Sequence, residues 1–108
     1  MSLINVYVEK NVNHPAHYKR FGRKECIVEM RERYGAGYTA VFCLMNSYKY
    51  LYRCGEKDRN PSEQDMAKAK WYFNYVADVL LTELDDSFLK NESFENLFLD
   101  IKSMLYGE

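Results

Sequence analysis

The sequence predicts a mainly α, small helical domain of about four helices. Two observations predict it. Apolar residues recur at three- and four-residue spacing through the windows 39–54, 63–84 and 93–106. Turn-forming residues stand at the borders of those windows: Gly35-Ala36-Gly37, Gly55, Asn60-Pro61 and Asp85-Asp86-Ser87. A length of 108 residues predicts a single domain over 1–108, large enough for a modest core without staples.

Each element has its own signal. Ile4, Val6 and Val8 alternate with polar or aromatic residues, which leaves open a short N-terminal strand or an ordered arm. Residues 11–22 are polar and turn-like around His14-Pro15-Ala16-His17-Tyr18. Lys24 to Tyr34 reads as a short helix with Cys26, Ile27 and Met30 inward, ended by Gly35-Ala36-Gly37. Thr39 is the expected cap of a second helix running to about Cys54 and closed by Gly55. Its expected core face is Val41, Leu44, Met45, Tyr48 and Leu51. A charged loop, 56–60, leads to Asn60-Pro61-Ser62-Glu63, with proline near a first turn and an acid at the positive end of the dipole. The third helix is expected from Glu63 to Leu84 with the seam Met66, Ala69, Phe73, Val76 and Leu80, broken by Asp85-Asp86-Ser87. A last helix over 93–106 gathers Phe94, Leu97, Phe98, Ile101, Met104 and Leu105 on one face. That face is expected on the domain's own core; the alternative is a homo-oligomer through this helix.

Charge is unevenly spread. Residues 1–75 carry 13 Lys/Arg against 8 Asp/Glu, and 76–108 carry 2 against 8. The acidic last third would repel a phosphate backbone, which argues against simple nucleic-acid binding. Ten Tyr and six Phe suit a helical core, a stacking site or an interface. Cys26, Cys43 and Cys54 are odd in number and lack Cys-x-x-Cys spacing. No signal peptide is evident and no apolar run approaches membrane-spanning length. The expectation is a cytoplasmic protein with reduced thiols and no membrane association, Cys43 being a packing residue.

The chemistry concentrates on the second helix. Asn46, Lys49, Tyr50 and Arg53 fall at i, i+3, i+4 and i+7, and so share a face. No Asp or Glu lies between Glu32 and Glu56. Such a cationic, hydrogen-bonding stripe suits a phosphate or another anion; an ordinary solvated face is the alternative. Asp65, Lys68 and Tyr72 repeat the spacing on the third helix. Antiparallel packing would bring Lys49, Arg53, Lys57 and Lys68 to one groove, with Asp65 orienting one of them by an ion pair.

Other constellations are weaker. His14 and His17 would need two further ligands to hold zinc, at no familiar spacing, so no metal site is expected. A hydrogen-bonded turn, or contact and proton exchange with a phosphorylated ligand, are the readings for this pair. Glu29 and Glu32, with Glu83 and Asp86, are a possible magnesium set against an exposed acidic face. A P-loop is absent, as is a Ser or Cys triad pattern.

Four motifs occur in order: Asn13-His14-Pro15-Ala16-His17-Tyr18, Glu25-Cys26-Ile27, Asn46-x-x-Lys49-Tyr50-Leu51-x-Arg53-x-Gly55-x-Lys57, and Asp65-x-x-Lys68-Ala69-Lys70-Trp71-Tyr72. Over about 13–76 the chain resembles a small, largely phage-encoded family of unknown function, often labelled phage nucleotide kinase-like. Met45 and Cys54 stand where that family often has Gly and Ala. The resemblance implies nucleotide binding and, in some members, phosphorylation of deoxynucleoside monophosphates from a nucleoside triphosphate donor. On that reading His14, His17, Tyr18, Asn46, Lys49, Tyr50, Arg53, Lys57 and Lys68 contact the ligand, and His17 and Asp65 are the catalytic candidates. The implied setting is the cytoplasm of an infected bacterial host. The alternative is a non-catalytic effector that sequesters a nucleotide signal or binds and inhibits a host defence or replication protein, so enzymatic activity stays an open question at this point.

Overall fold

The computed structural model describes residues 25–54 and 62–107. The expectations for Ile4, Val6 and Val8, for His14, His17 and Tyr18, and for Gly55, Lys57 and Asn60-Pro61 lie outside the described residues. The elements are α1 (Cys26–Tyr34), α2 (Ala36–Arg53), α3 (Ser62–Asp78), a 3-10 turn (Leu80–Glu83), α4 (Asp86–Leu89) and α5 (Glu92–Tyr106). The fold is mainly α, with no strand among the described residues.

Gly35 alone joins α1 to α2. Its φ of 95° and ψ of 163° belong to a region essentially restricted to glycine. Its N–H donates to the Arg31 carbonyl at 2.9 Å and closes α1. Its own carbonyl accepts from the Thr39 amide at 3.3 Å and from Thr39 Oγ1 at 2.9 Å. Thr39 is therefore not the cap of α2: the helix begins three residues earlier, and Thr39 is buried with its hydroxyl folded back. Ala36 and Gly37, expected in the linker, form the first turn of α2. A Cβ at position 37 would sit 2.8 Å from the Phe88 ring, so any larger residue there would force that ring to shift.

α2 buries Thr39, Ala40, Cys43, Leu44 and Ser47. Two expected core residues point outward instead, Met45 at 57% exposed and Tyr48 at 47%. The first half of α2, residues 36–45, is apolar nearly all round, so periodicity alone does not select its inner face. The close approach of α3 does, by favouring small side chains. α3 delivers the expected seam: Ala69, Phe73, Val76 and, beyond its end, Leu80 are buried, with Met66 half-buried.

α3 stops at Asp78, short of the expected Leu84. Val79 leaves helical geometry (φ −120°, ψ −57°) and the chain tightens into the 3-10 turn. This re-aims two side chains. Leu80 enters the core completely, and Glu83 meets Arg31 Nε at 3.6 Å. Arg31 also donates to the Tyr75 hydroxyl at 3.0 Å, tying α1 to α3. Ile27 is the buried residue of α1 and Met30 packs against the core, whereas Cys26, expected inward, is exposed.

Side-chain caps start the last two helices. Asp85 accepts from the Phe88 amide at 2.8 Å, and Asn91 from the Phe94 amide at 2.9 Å. α5 sets Phe94 and Ile101 into the shared core, with Leu97, Phe98 and Leu105 packed beside them. Its apolar face thus meets the domain's own core. Met104, at the margin of that arc, turns to solvent (51% exposed). Asn74 Nδ2 donates to the Tyr106 hydroxyl at 3.0 Å and fastens the end of α5 to α3. Among the described residues, no helix is long and apolar enough to cross a membrane.

Gly35→Ala is expected to destabilise the chain by about 1–3 kcal/mol, because the linker cannot relax without reorienting α1. Urea unfolding checks this: the midpoint should fall at unchanged slope.

Candidate functional site

The site begins with how α2 and α3 are locked together. Ser47 Oγ donates to the Ala69 carbonyl at 2.7 Å, with both residues fully buried. Toward the ends that approach the connecting segment, Cys54 Sγ donates to the Ser62 carbonyl at 3.4 Å. These two contacts run in opposite senses along the helices, so the pair is antiparallel. The register they define sets the Tyr50-Leu51 turn of α2 opposite Asp65-Met66 of α3.

That register brings the two polar stripes together. The half-buried Tyr50 ring stacks on Tyr72 of α3, with centroids 6.0 Å apart and planes 10° from parallel. Three cations surround the same ring. Lys49 Nζ lies 4.4 Å from its centroid, Arg53 Cζ 5.6 Å, and Lys68 Nζ, from the other helix, 5.4 Å. Asn46 is half-buried one helical turn before Tyr50. The convergence that the spacing suggested is present for Lys49, Tyr50, Arg53 and Lys68. Each cation–π contact contributes about 0.5–1 kcal/mol at an exposed site, and none of them neutralises charge. Among the described residues, none of the three cations is paired with a carboxylate. The cluster presents net positive charge beside a stacked aromatic pair.

Asp65 departs from its expected position. It is 1% exposed, turned into the seam between the helices rather than along the solvent-facing stripe. Among the described residues, neither carboxylate oxygen has a hydrogen-bond partner. Arg53 Nε is likewise buried without an acceptor among the described residues. The expected ion pair from Asp65 is not formed among the described residues. Its position follows from the helix period: Asp65 stands one turn before Ala69, on the face that meets α2.

Tyr72 is the aromatic hub. It meets Phe42 edge-on at 6.1 Å and Trp71 edge-on at 5.0 Å, and Trp71 stacks on Tyr75 at 5.2 Å. Sequence reasoning missed Phe42 and Ser47. Phe42, Asn46 and Tyr50 fall at i, i+4 and i+8, a pattern that would have extended the stripe backwards to Phe42. Nothing in the sequence marks Ser47, which reads as one polar residue among many.

Two further surfaces stand apart from the cluster. The outer side of α2 exposes Tyr38, Met45, Tyr48 and Tyr52. An open apolar pocket of about 290 Å³ lies at the α1–α2 elbow, lined by Met30, Tyr34, Tyr38 and Thr39. Among the described residues, no group of three or more His, Cys, Asp or Glu is arranged to hold a metal ion, and Glu83 is engaged by Arg31.

The family model for a protein of unknown function, DUF3310, matches residues 12–74 of this chain, more than half its length. The chain belongs to the DUF3310 family. The matched DUF3310 stretch contains α1, α2 and most of α3, and hence every member of the cation cluster; α5 lies outside it. No curated protein and no solved structure matches the chain.

Two outcomes are expected from this geometry. Ser47→Ala should lower stability by about 1 kcal/mol, read as a reduced unfolding midpoint, because one buried hydrogen bond between the helices is lost. Burial pushes the Cys43 thiol up to about 12. Alkylation of the native chain at pH 8 should therefore modify Cys26 readily and spare Cys43 until denaturant is added, as peptide mass mapping would show.

Proposed function

We propose that the chain binds a phosphorylated small molecule, a nucleotide, at the groove between α2 and α3. The observation that carries this reading is the convergence of Lys49, Arg53 and Lys68 on the Tyr50 ring with no carboxylate paired to any of them among the described residues. Three cations gathered round one ring favour a multiply charged anion. The Tyr50–Tyr72 stack and Asn46 supply the apolar and hydrogen-bonding surface for a nucleoside. The resemblance would add His14, His17, Tyr18 and Lys57, which lie outside the described residues, to the ligand contacts.

The resemblance to phage nucleotide kinase-like proteins supports a catalytic version, acting in the cytoplasm of an infected bacterium. A phosphoryl group would pass from a nucleoside triphosphate to a phosphate oxygen of a deoxynucleoside monophosphate, yielding two diphosphates. Such transfer is largely positioning and charge stabilisation, which a side-chain cation cluster supplies without a P-loop.

A second reading rests on a different observation. Tyr38 and Tyr52 on the outer side of α2 are 79% and 73% exposed, beside Met45. An aromatic face of this kind suits binding to a host protein without chemistry. The same groove would then serve to sequester a nucleotide or have no ligand.

Calorimetry against mono-, tri- and cyclic nucleotides tests the main reading. Binding should appear, and Lys49→Ala, Arg53→Ala or Lys68→Ala should each weaken it by about 1.5–3 kcal/mol, the worth of a hydrogen bond to a charged group. Absence of binding at millimolar concentration would reject it. Turnover with a triphosphate donor then separates an enzyme from a sequestering protein.

A further inference from the structure

The least explained atoms of the described core are the two carboxylate oxygens of Asp65. A carboxylate taken from water without a partner is strongly disfavoured, and in folded proteins it is held by a cation or by donors. Asp65 is 1% exposed and has neither among the described residues. Two buried side-chain donors among the described residues also lack partners, Arg53 Nε and Trp71 Nε1. Trp71 stands six residues further along the same helix, an axial rise of about 9 Å and a different face. Arg53 lies across the seam, one turn beyond the Tyr50-Leu51 turn that faces Asp65. Lys68, three residues from Asp65 on α3, has its ammonium group over the Tyr50 ring instead.

We infer that Asp65 is a positioning residue for Arg53: its carboxylate accepts the Nε–H of Arg53 when an anion occupies the groove, and so aims the two terminal guanidinium nitrogens at that anion. The inference rests on the anion-binding reading of the site and adds the device that orients one of its cations. The guanidinium fork is planar, so fixing Nε fixes the direction of the other two nitrogens. In the structure the guanidinium lies 5.6 Å from the Tyr50 centroid, and Nε is buried. Pairing Arg53 Nε with Asp65 would satisfy two unpartnered groups at once. Asp65 does not itself touch the ligand, since its oxygens are covered.

The test uses the full chain and inorganic pyrophosphate as the probe. Pyrophosphate affinity is measured for the wild type, Asp65→Asn, Arg53→Lys and the double variant, and the Arg53 Nε–H signal is followed by NMR. Asp65→Asn is expected to lower affinity at least tenfold although it removes no ligand contact. The double variant should be no weaker than Arg53→Lys alone, the sign of two residues acting as one unit. In the wild type the Arg53 Nε–H signal should shift downfield and exchange more slowly on adding pyrophosphate. If Asp65→Asn fails to fold, that wild-type signal decides: no change on binding overturns the inference. Unchanged affinity in a folded Asp65→Asn, or fully additive losses, overturns it while leaving the anion site standing. Failure of the wild type to bind pyrophosphate or any nucleotide overturns both readings together.

Discussion

The structure depends on how closely α2 can approach α3. Ala40, Cys43 and Ser47 on one helix and Ala69 on the other are small enough to let the backbones near each other, and the Ser47 hydroxyl reaches the Ala69 carbonyl at 2.7 Å. Burying a hydroxyl there is tolerable only because that acceptor is in place. Once this contact is made, the register of the pair has no freedom. A slip by one turn would take Ser47 away from its acceptor, part Tyr50 from Tyr72 and carry Lys68 off the Tyr50 ring. The same constraint that holds the fold therefore holds the cation cluster.

The remaining elements brace this pair from outside. α1 is turned sharply at Gly35 and pinned to α3 through Arg31, which serves the Tyr75 hydroxyl and Glu83 together. Burial pushes the Tyr75 phenol up, and its oxygen accepts from the Arg31 guanidinium. α5 closes the opposite side with Phe94 and Ile101. Its acids remain on the outer face, on the far part of the sequence from the cationic stripe. The segregation of charge along the chain thus becomes a segregation between elements: a cationic groove edge from α2 and α3, and an acidic outer face from α5.

Much of this was legible in the sequence because helices announce themselves by period and punctuation. Four helices, the glycine break at 35, the seam of α3 and the inward face of α5 all follow from spacing. What the sequence concealed has physical causes. The inner face of α2 was misread through Met45 and Tyr48, because its first half is apolar on most sides and carries little directional signal; the neighbour's shape chose the small residues. The end of α3 at Asp78 carries no glycine or proline, and is set by the need to bury Leu80 and present Glu83 to Arg31. At the site, the stripe and its partner Lys68 were readable from charge and period. The burial of Asp65 was not, since an acid early in an amphipathic helix ordinarily faces water.

The placement of Trp71 has an optical consequence. It is the single tryptophan of the chain, 4% exposed, edge-on to Tyr72 and stacked on Tyr75. Tyr72 in turn lies against Tyr50, the ring around which the cations gather. The intrinsic fluorescence of the protein therefore comes from a chromophore one aromatic ring away from the groove and inside the core. Emission from this one indole reports on two events through separate channels: solvent exposure of the ring when α3 leaves α2, and electronic coupling to its tyrosine neighbours when the groove rearranges.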